Sequence, residues 1–308
     1  MKLFSSPSSI LPSWRNALAY SVACGALLAA SASAAWADPP ARAGRIAEVT
    51  GNAWLFDPEA KAWVRLLRNQ TVGQGDQMRT DARSRVTVRV GSSTVWLDEE
   101  SDMEVLQLDD AATVLHMLAG DMALRVRTAE TAQETRIQTR EGVISPEMEG
   151  LFRIDQLDRG SRLAVLQGRA QFDSNPDAPV QRAWLREGEQ AEFWWAESSR
   201  IERQPLSRDK FSAWFLAQDQ AEGALAWGDD APYVSPEMTG AEDLNQRGNW
   251  EVAAEYGNVW IPARVAVGWE PYRDGRWGWP REWGGSRVDN APWGQARFHY
   301  GRWMRHRG

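Results

Sequence analysis

Polar and apolar residues alternate along most of the chain between residues 44 and 196. In Arg85–Val90 the alternation has a period of two, as in a half-buried β-strand, and a glycine–serine turn follows it. Short runs of this kind recur between glycines at residues 45–56, 94–97, 103–108, 113–118, 122–126, 135–139, 150–154, 163–165 and 190–195. Many short strands with glycine turns predict a mainly all-β sandwich or roll. The sequence does not alternate strands with long helices, so an α/β sheet is not expected.

The pattern becomes helical beyond the last predicted strand. Phe211, Trp214 and Phe215 share one face at helical spacing, and residues 210–226 are rich in helix formers. Ser207 is the predicted N-cap. These features predict one amphipathic helix that bridges two parts of the molecule and packs its aromatic face on the β domain.

The end of the chain, residues 250–308, is rich in tryptophan. It holds eight of the 18 tryptophans, several of them about ten residues apart. This spacing predicts a small β module of short strands with one tryptophan anchor each. The dipeptide Asp274-Gly275 predicts a two-residue type I′ hairpin. That hairpin would place Tyr272, Trp277 and Trp279 on one face.

The start of the chain has the features of a secretory signal peptide. Only two charges precede Asp38, and a run of small and apolar residues ends in the small-x-small pattern that signal peptidase cuts, at Ala37. Cleavage between Ala37 and Asp38 would also remove Cys24, the single cysteine. We therefore expect a periplasmic or secreted protein with no integral membrane span after cleavage. An uncleaved anchor is the alternative.

These patterns divide the chain into four segments. They are the signal peptide (1–37), the β domain (38–204), the bridging helix with a linker rich in Asp, Pro, Ser and Gly (205–249), and the tryptophan-rich module (250–308).

The distribution of charge along the chain limits the kinds of binding partner that we expect. The chain has a formal net charge of −7, but residues 250–308 hold nine arginines against six acids. This mildly basic part could meet an anionic glycan such as lipopolysaccharide. Alternatively, its arginines cover tryptophan faces through cation–π contacts and stem packing. No concentrated basic stripe of the kind that binds nucleic acids is present.

The sequence offers no catalytic constellation. The three histidines, His116, His299 and His306, are dispersed and form no metal-binding motif. The acidic run at residues 98–100 falls where a turn is expected, and adjacent acids in turns are usually solvated. We therefore expect a protein that is not an enzyme and that has no catalytic residue, no metal site and no cofactor.

Two stretches resemble known families. Residues 44–196 resemble a FecR domain, through GDQMRTD at 75–81, SRVTVRV at 84–90, IQT at 137–139, GLFRI at 150–154, VLQGRA at 165–170 and EGEQ at 187–190. The end of the chain is similar to the tryptophan-rich domain of unknown function that commonly follows FecR domains in envelope proteins of Gram-negative bacteria. That similarity rests on YVSPEMTG at 233–240, GNW at 248–250, YGNVWIP at 256–262, GWEPYRDGRW at 268–277, APWG at 291–294 and FHYGRW at 298–303.

The FecR resemblance implies an envelope protein, but its signalling role needs a cytoplasmic N-terminal domain. Only about sixteen residues precede the apolar run, too few for such a domain. We therefore expect a binding or scaffolding module whose partner is an envelope protein. The alternatives are a glycan- or peptidoglycan-binding protein that uses the aromatic residues near the C-terminus, and a FecR-type transmembrane regulator. The candidate ligand-binding residues are Tyr272, Trp277, Trp279, Trp283, Trp293, His299, Tyr300 and Trp303.

Overall fold

Strands dominate the fold, as the alternating pattern predicts. The computed structural model describes residues 42–57, 60–175, 181–226, 239–240, 243–244, 247–265, 267–271, 273, 275–278, 286–289, 291, 293 and 303. All of them belong to the unit Pro40–Gly308. The predicted signal peptide and its cleavage site, Ala37 and Asp38, lie outside the described residues.

Most elements of the described residues are short strands. In chain order, the strands are β1 (Gly44–Thr50), β2 (Ala53–Asp57), β3 (Ala62–Arg65), β4 (Thr71–Val72), β5 (Gln77–Thr80), β6 (Arg85–Val90), β7 (Ser93–Leu97), β8 (Asp102–Leu108), β9 (Thr113–Val126), β10 (Thr135–Gln138), β11 (Gly142–Pro146), β12 (Gly150–Gln156), β13 (Gly160–Gln167), β14 (Arg169–Ser174), β15 (Arg182–Arg186), β16 (Gln190–Ala196), β17 (Ser198–Gln204), β18 (Gly248–Ala253), β19 (Gly257–Pro262), β20 (Gly275–Gly278) and β21 (Ser286–Asp289). The helices are α1 (Ala129–Glu134) and α2 (Lys210–Ala226). No helix among the described residues has both the length and the apolar character needed to cross a membrane.

The first seventeen strands form two layers, which we call sheet A and sheet B. Sheet A runs in the order β4-β1-β6-β7-β9-β12-β13-β16-β17. Sheet B runs in the order β3-β2-β5-β8-β9-β10-β11-β14-β15. Neighbours are antiparallel except β9 and β10, which are parallel. The predicted sandwich or roll of short strands is therefore confirmed.

Strand β9 joins the two layers. Its first half pairs with β8 and β10 in sheet B, and its second half pairs with β7 and β12 in sheet A. Gly120 lies between the halves with a positive φ of 80°, a conformation that glycine adopts without the penalty of a Cβ. The separate strands predicted at 113–118 and 122–126 are thus one bent strand.

The apolar side chains between the layers form the main core. Phe172 from sheet B and Phe193 from sheet A are both fully buried, and their rings stack with centroids 3.8 Å apart. This core holds the sandwich together, because each fully buried side chain of this size contributes about 2–3 kcal/mol by leaving water.

Helix α2 packs on the outer surface of sheet A. Phe211 and Phe215 are buried against Trp96, Ala123 and Leu151. The predicted helix and its packing face are therefore confirmed. Its N-cap was predicted wrongly.

The N-cap of α2 is Asp209, whose Oδ1 accepts a hydrogen bond from the backbone N–H of Ser212 at 2.8 Å. Ser207 lies further upstream, where its carbonyl accepts from the Ser212 hydroxyl at 3.3 Å. Asp209 takes the cap position because it lies three residues before the N–H that it satisfies.

The described end of the chain forms two small antiparallel pairs. Strands β18 and β19 place Trp250 opposite Trp260. Strand β20 also contains one tryptophan, Trp277, but β21 contains none, so the prediction of one tryptophan per strand holds for three of these four strands. The predicted hairpin at Asp274-Gly275 is wrong, because β20 begins at Gly275 and pairs with β21, which sets Trp277 opposite Arg287. Before β20, the Arg273 N–H donates to the Glu270 carbonyl at 3.3 Å.

Candidate functional site

Three of the predicted ligand-binding residues lie within the described part of the chain. Trp293 is buried and Trp303 is half-buried. The backbone of Trp277 lies in β20. The other predicted residues lie outside the described residues: Tyr272, Trp279, Trp283, His299 and Tyr300.

Four tryptophans of the C-terminal module pack together. Trp260 and Trp293 form a buried cluster with Leu244, and their ring centroids lie 6.0 Å apart. Trp269 connects this cluster to Trp303, at 6.3 Å from the Trp293 ring and 5.2 Å from the Trp303 ring. The Trp260 indole N–H donates to the Leu244 carbonyl at 2.8 Å. In this region tryptophan side chains form the hydrophobic core that aliphatic side chains form in most domains.

A buried ion pair attaches this module to the sandwich. Arg45 of β1 donates to the Asp243 carboxylate at 2.6 Å, and the two side chains are only 1% and 8% exposed. Asn69 accepts from Arg45 at 2.9 Å and donates to the Ala291 carbonyl at 2.8 Å. The Thr239 hydroxyl donates to the Ala43 carbonyl at 3.1 Å. Thr239 and Asp243 therefore contact the β1 side of the sandwich.

A second group of charges, centred on two buried side chains, lies where the N-terminus of α2 meets sheet A. We call it the Arg153 cluster, and its members are Asp121, Arg153, Asp155, Arg162 and Asp209. The Arg153 guanidinium, 2% exposed, contacts Asp121 at 3.0 Å, Asp155 at 2.8 Å and Asp209 at 2.6 Å. Arg162 also binds Asp155, at 2.6 Å through Nε. One arginine thus joins two strands of sheet A to the helix cap.

Strand register brings these groups together. Asp121 of β9 lies directly opposite Asp155 of β12, and Asp155 lies opposite Arg162 of β13. Residues two apart on a strand share a face, so Arg153 lies on the same outer surface as Asp155. Helix α2 covers that surface, so β12 is buried on both sides.

Burial and like charge shift the proton affinities in the Arg153 cluster. Burial, followed by the neighbouring Asp155 carboxylate, raises the pKa of Asp121 to about 7, although Arg153 opposes the shift. Burial works against ionisation of Asp209 as well. There, however, the Ser212 N–H and Arg153 outweigh it, so the pKa of Asp209 lies below its usual value.

Further along its length, α2 is held to sheet A by ion pairs. Asp219 accepts two hydrogen bonds from Arg125, and Glu222 pairs with Arg89 at 2.8 Å and with Arg127 at 3.1 Å. Burial raises the pKa of Glu222 even with both arginines beside it. All five side chains are at most 15% exposed, so salt would screen these pairs less than it screens surface pairs.

The outer surface of sheet B differs from that of sheet A. We call it the open face, and its aromatic groups lie at its two ends. At one end Phe56 and Trp63 are half-buried, with ring centroids 5.4 Å apart. The Arg79 guanidinium lies 4.3 Å from the Trp63 ring centroid. At the other end Trp184 is 48% exposed, and Arg182 lies 5.9 Å from its ring centroid.

His116 lies on the open face between these two groups. Its Nδ1 is 4.0 Å from a Glu104 carboxylate oxygen, and Glu104 lies opposite it on β8. It is thus an outward-facing strand histidine. Within the described part of the chain, no three His, Cys, Asp or Glu side chains are grouped so that they could hold a metal ion.

Sequence reasoning missed both the Arg153 cluster and the open face. One signal for the cluster was present, since Arg153 interrupts the apolar run GLFRI, and a buried charge in a strand needs a partner. The identity of that partner depends on the pairing of β9 with β12, which the pattern of residues does not specify.

Comparison with known proteins identifies two modules. Residues 76–171 match the FecR protein family, and residues 241–308 match a family of unknown function (DUF6600). The chain therefore carries a FecR domain followed by a DUF6600 domain, as the sequence resemblance predicts. No curated protein matches the chain.

Two crystal structures of proteins from Parabacteroides distasonis, described as candidate anti-sigma factors, are similar in part. The first is 17% identical, with a TM-score of 0.37, and the match covers 45% of this chain and 64% of that one. This chain thus spans less than two thirds of that protein. The second is 15% identical, with a TM-score of 0.37, and the match covers 61% of this chain and 99% of that one.

Proposed function

We propose that this protein belongs to the cell envelope and acts by binding another protein, without catalysis, through the open face of its β-sandwich. The observation that carries the proposal is the pairing of tryptophan with arginine at both ends of that face. Tryptophan and arginine are the residue types most enriched at the energetic centres of protein interfaces. The FecR domain itself supports an envelope-associated protein of the regulatory type.

The side chains around Trp63 are already held in place by contacts within the protein. Arg79, which lies over the Trp63 ring, is held from its other side by Asp102 at 2.6 Å. A ring and a guanidinium that are already fixed lose little side-chain entropy when a partner docks. A partner that covers them would bury apolar area and strengthen the cation–π contact by removing water.

Trp184 is held in a similar way. Its indole N–H donates to the Glu147 carboxylate at 3.0 Å, while the ring remains 48% exposed. The edge of β15 itself is partly capped, since Arg203 donates to the Trp184 carbonyl at 3.2 Å and Glu189 accepts from the Arg186 N–H at 2.8 Å. Contact through side chains on the open face is therefore favoured over addition of a strand at this edge.

Photo-crosslinking in cells tests the proposal. A photoreactive amino acid would replace Glu104 on the open face, and in a control it would replace Glu202 on the sheet A side. These side chains are 36% and 55% exposed. We expect a discrete protein adduct from position 104 and none from position 202. An adduct from position 202 alone, or from neither position, would overturn the proposal.

A FecR-type transmembrane regulator is the second candidate, supported by the family match at residues 76–171. It requires that the N-terminal apolar segment stay attached as an anchor. N-terminal sequencing of the protein recovered from cells distinguishes the two. A start at Asp38 supports an exported binding protein and excludes the regulator, whereas a retained N-terminus supports the regulator.

A further inference from the structure

The Arg153 cluster carries an imbalance of charge. Three carboxylates, those of Asp121, Asp155 and Asp209, meet two guanidiniums, those of Arg153 and Arg162. The side chains of Arg153 and Asp155 are only 2% and 1% exposed, whereas those of Asp121 and Asp209 are 29% and 44% exposed. If every group were ionised, the cluster would keep one uncompensated negative charge beside the buried Arg153–Asp155 pair, which is costly. One bound proton makes the cluster neutral.

Hydrogen-bond geometry indicates which carboxyl group takes that proton. Asp155 accepts from Arg153 at 2.8 Å and from Arg162 at 2.6 Å. Asp209 accepts from Arg153 at 2.6 Å and from the Ser212 N–H at 2.8 Å. Asp121 has only the longer contact to Arg153, at 3.0 Å, and it faces Asp155 across the strand pair. Asp121 is therefore the least stabilised as an anion.

The other side of Asp121 offers no compensating cation among the described residues. The connection between β7 and β8 packs there, and its Asp98 N–H donates to the Asp121 carbonyl at 3.0 Å. The Asp98 carboxylate is itself paired with Arg85 at 2.7 Å. Ser101 exchanges hydrogen bonds with the Asp121 backbone. The charge on Asp121 is thus governed by the Arg153 cluster.

We propose that the Arg153 cluster is a proton-binding latch, in which one proton held between Asp121 and Asp155 keeps Arg153 on Asp209 and so holds the N-terminus of α2 to sheet A. When the proton leaves, ionised Asp121 competes with Asp209 for the same guanidinium. Two like charges then also face each other across β9 and β12, which is destabilising.

The direction of the pH effect follows from the proton affinities. The pKa of Asp121 is raised in the folded protein to about 7, from an ordinary value of 3.8. The folded state therefore binds this proton more tightly than the unfolded chain does. Its contribution to stability is largest below about pH 4 and is lost as the pH rises to about 7.

The first test compares the unfolding equilibrium of the wild type with that of Asp121→Asn, which mimics the protonated group. Between about pH 5 and pH 8 we expect the wild-type unfolding constant to rise, relative to that of Asp121→Asn, by roughly ten- to a hundred-fold. Asp173→Asn is the matched control. Its side chain is 29% exposed, like that of Asp121, but its partner Arg182 is 52% exposed. The control should keep the wild-type pH dependence.

The second test uses the wild type alone, so it holds even if a variant fails to fold. Carbon-13 NMR of the carboxyl groups should show Asp121 titrating near neutral pH. Amide-exchange protection at Ser212 and Ala213, the first residues held by the Asp209 cap, should fall over the same range. Titration of Asp121 near pH 4, or protection that does not change with pH, would overturn the latch. So would identical pH dependence in the wild type and Asp121→Asn.

Discussion

Removal of the Asp243 carboxylate tests how the C-terminal module is attached to the sandwich. In Asp243→Ala the guanidinium of Arg45, 1% exposed, loses the ion pair that it makes with Asp243 at 2.6 Å. Loss of one member of a buried pair costs about 3–5 kcal/mol. We expect the lower end, about 3 kcal/mol, because Asn69 still accepts from Arg45 at 2.9 Å. The second pair of Asp243, with the 42%-exposed Arg68 at 3.4 Å, adds at most about 1 kcal/mol.

The assay is amide hydrogen exchange followed through β18 and β19, with urea unfolding of the same variant. A cost of about 3 kcal/mol corresponds to a roughly hundred-fold larger population with the module detached. Asp173→Ala is the control, since its partner Arg182 is half-exposed, and it should cost less than about 1 kcal/mol. In Arg45→Met combined with Asp243→Ala, much of the loss should be recovered, because both charges of the buried pair are then removed together. Equal effects of Asp243→Ala and Asp173→Ala would refute the reasoning.

Two further substitutions test the packing of the sandwich. Phe215→Ala should lower stability by about 3–5 kcal/mol, since the ring is fully buried. The control is Leu216→Ala, because Leu216 lies next to Phe215 but is 43% exposed. It should change the stability by less than about 1 kcal/mol. Equal losses of stability in the two variants, measured by thermal unfolding, would contradict the docking of α2. Gly120→Ala would place its Cβ 2.6 Å from the Ser101 Cα and should cost about 3 kcal/mol. The control is Gly188→Ala, since Gly188 also has a positive φ but an added Cβ would meet no atom there. It should cost only about 1 kcal/mol of stability. If Gly120→Ala lost less stability than Gly188→Ala, the close approach at the bend of β9 would be contradicted.

The elements with local signals were predicted well. Strand β6 alternates because one of its faces packs in the main core, and the limits of α2 follow from its helix formers and its aromatic face. The hairpin predicted at Asp274-Gly275 was wrong because the turn preference of Asp-Gly is local, and tertiary strand pairing overrides local preferences. In the folded chain the pairing of β20 with β21 prevails.

The functional surfaces were harder to predict, because they depend on which strands are neighbours. Asp121 and Asp155 are 34 residues apart, and only the β9–β12 register brings them together. Trp63 and Arg79 likewise meet only because β2 lies between β3 and β5. Composition drew attention to the tryptophans of residues 250–308, two of which, Trp260 and Trp293, prove to be buried.

The most direct test of the proposed function measures the adduct formed by the photoreactive group at position 104 when one tryptophan is removed. Trp63→Ala should reduce the yield of that adduct at least roughly ten-fold, because truncation of a tryptophan that is a binding hot spot typically costs 2 kcal/mol or more. Trp195→Ala is the control, since Trp195 is 54% exposed and lies in β16 of sheet A. In Trp195→Ala the yield of the adduct from position 104 should equal the yield without this substitution. An unchanged adduct in Trp63→Ala, or one lost only in Trp195→Ala, would contradict binding through the open face.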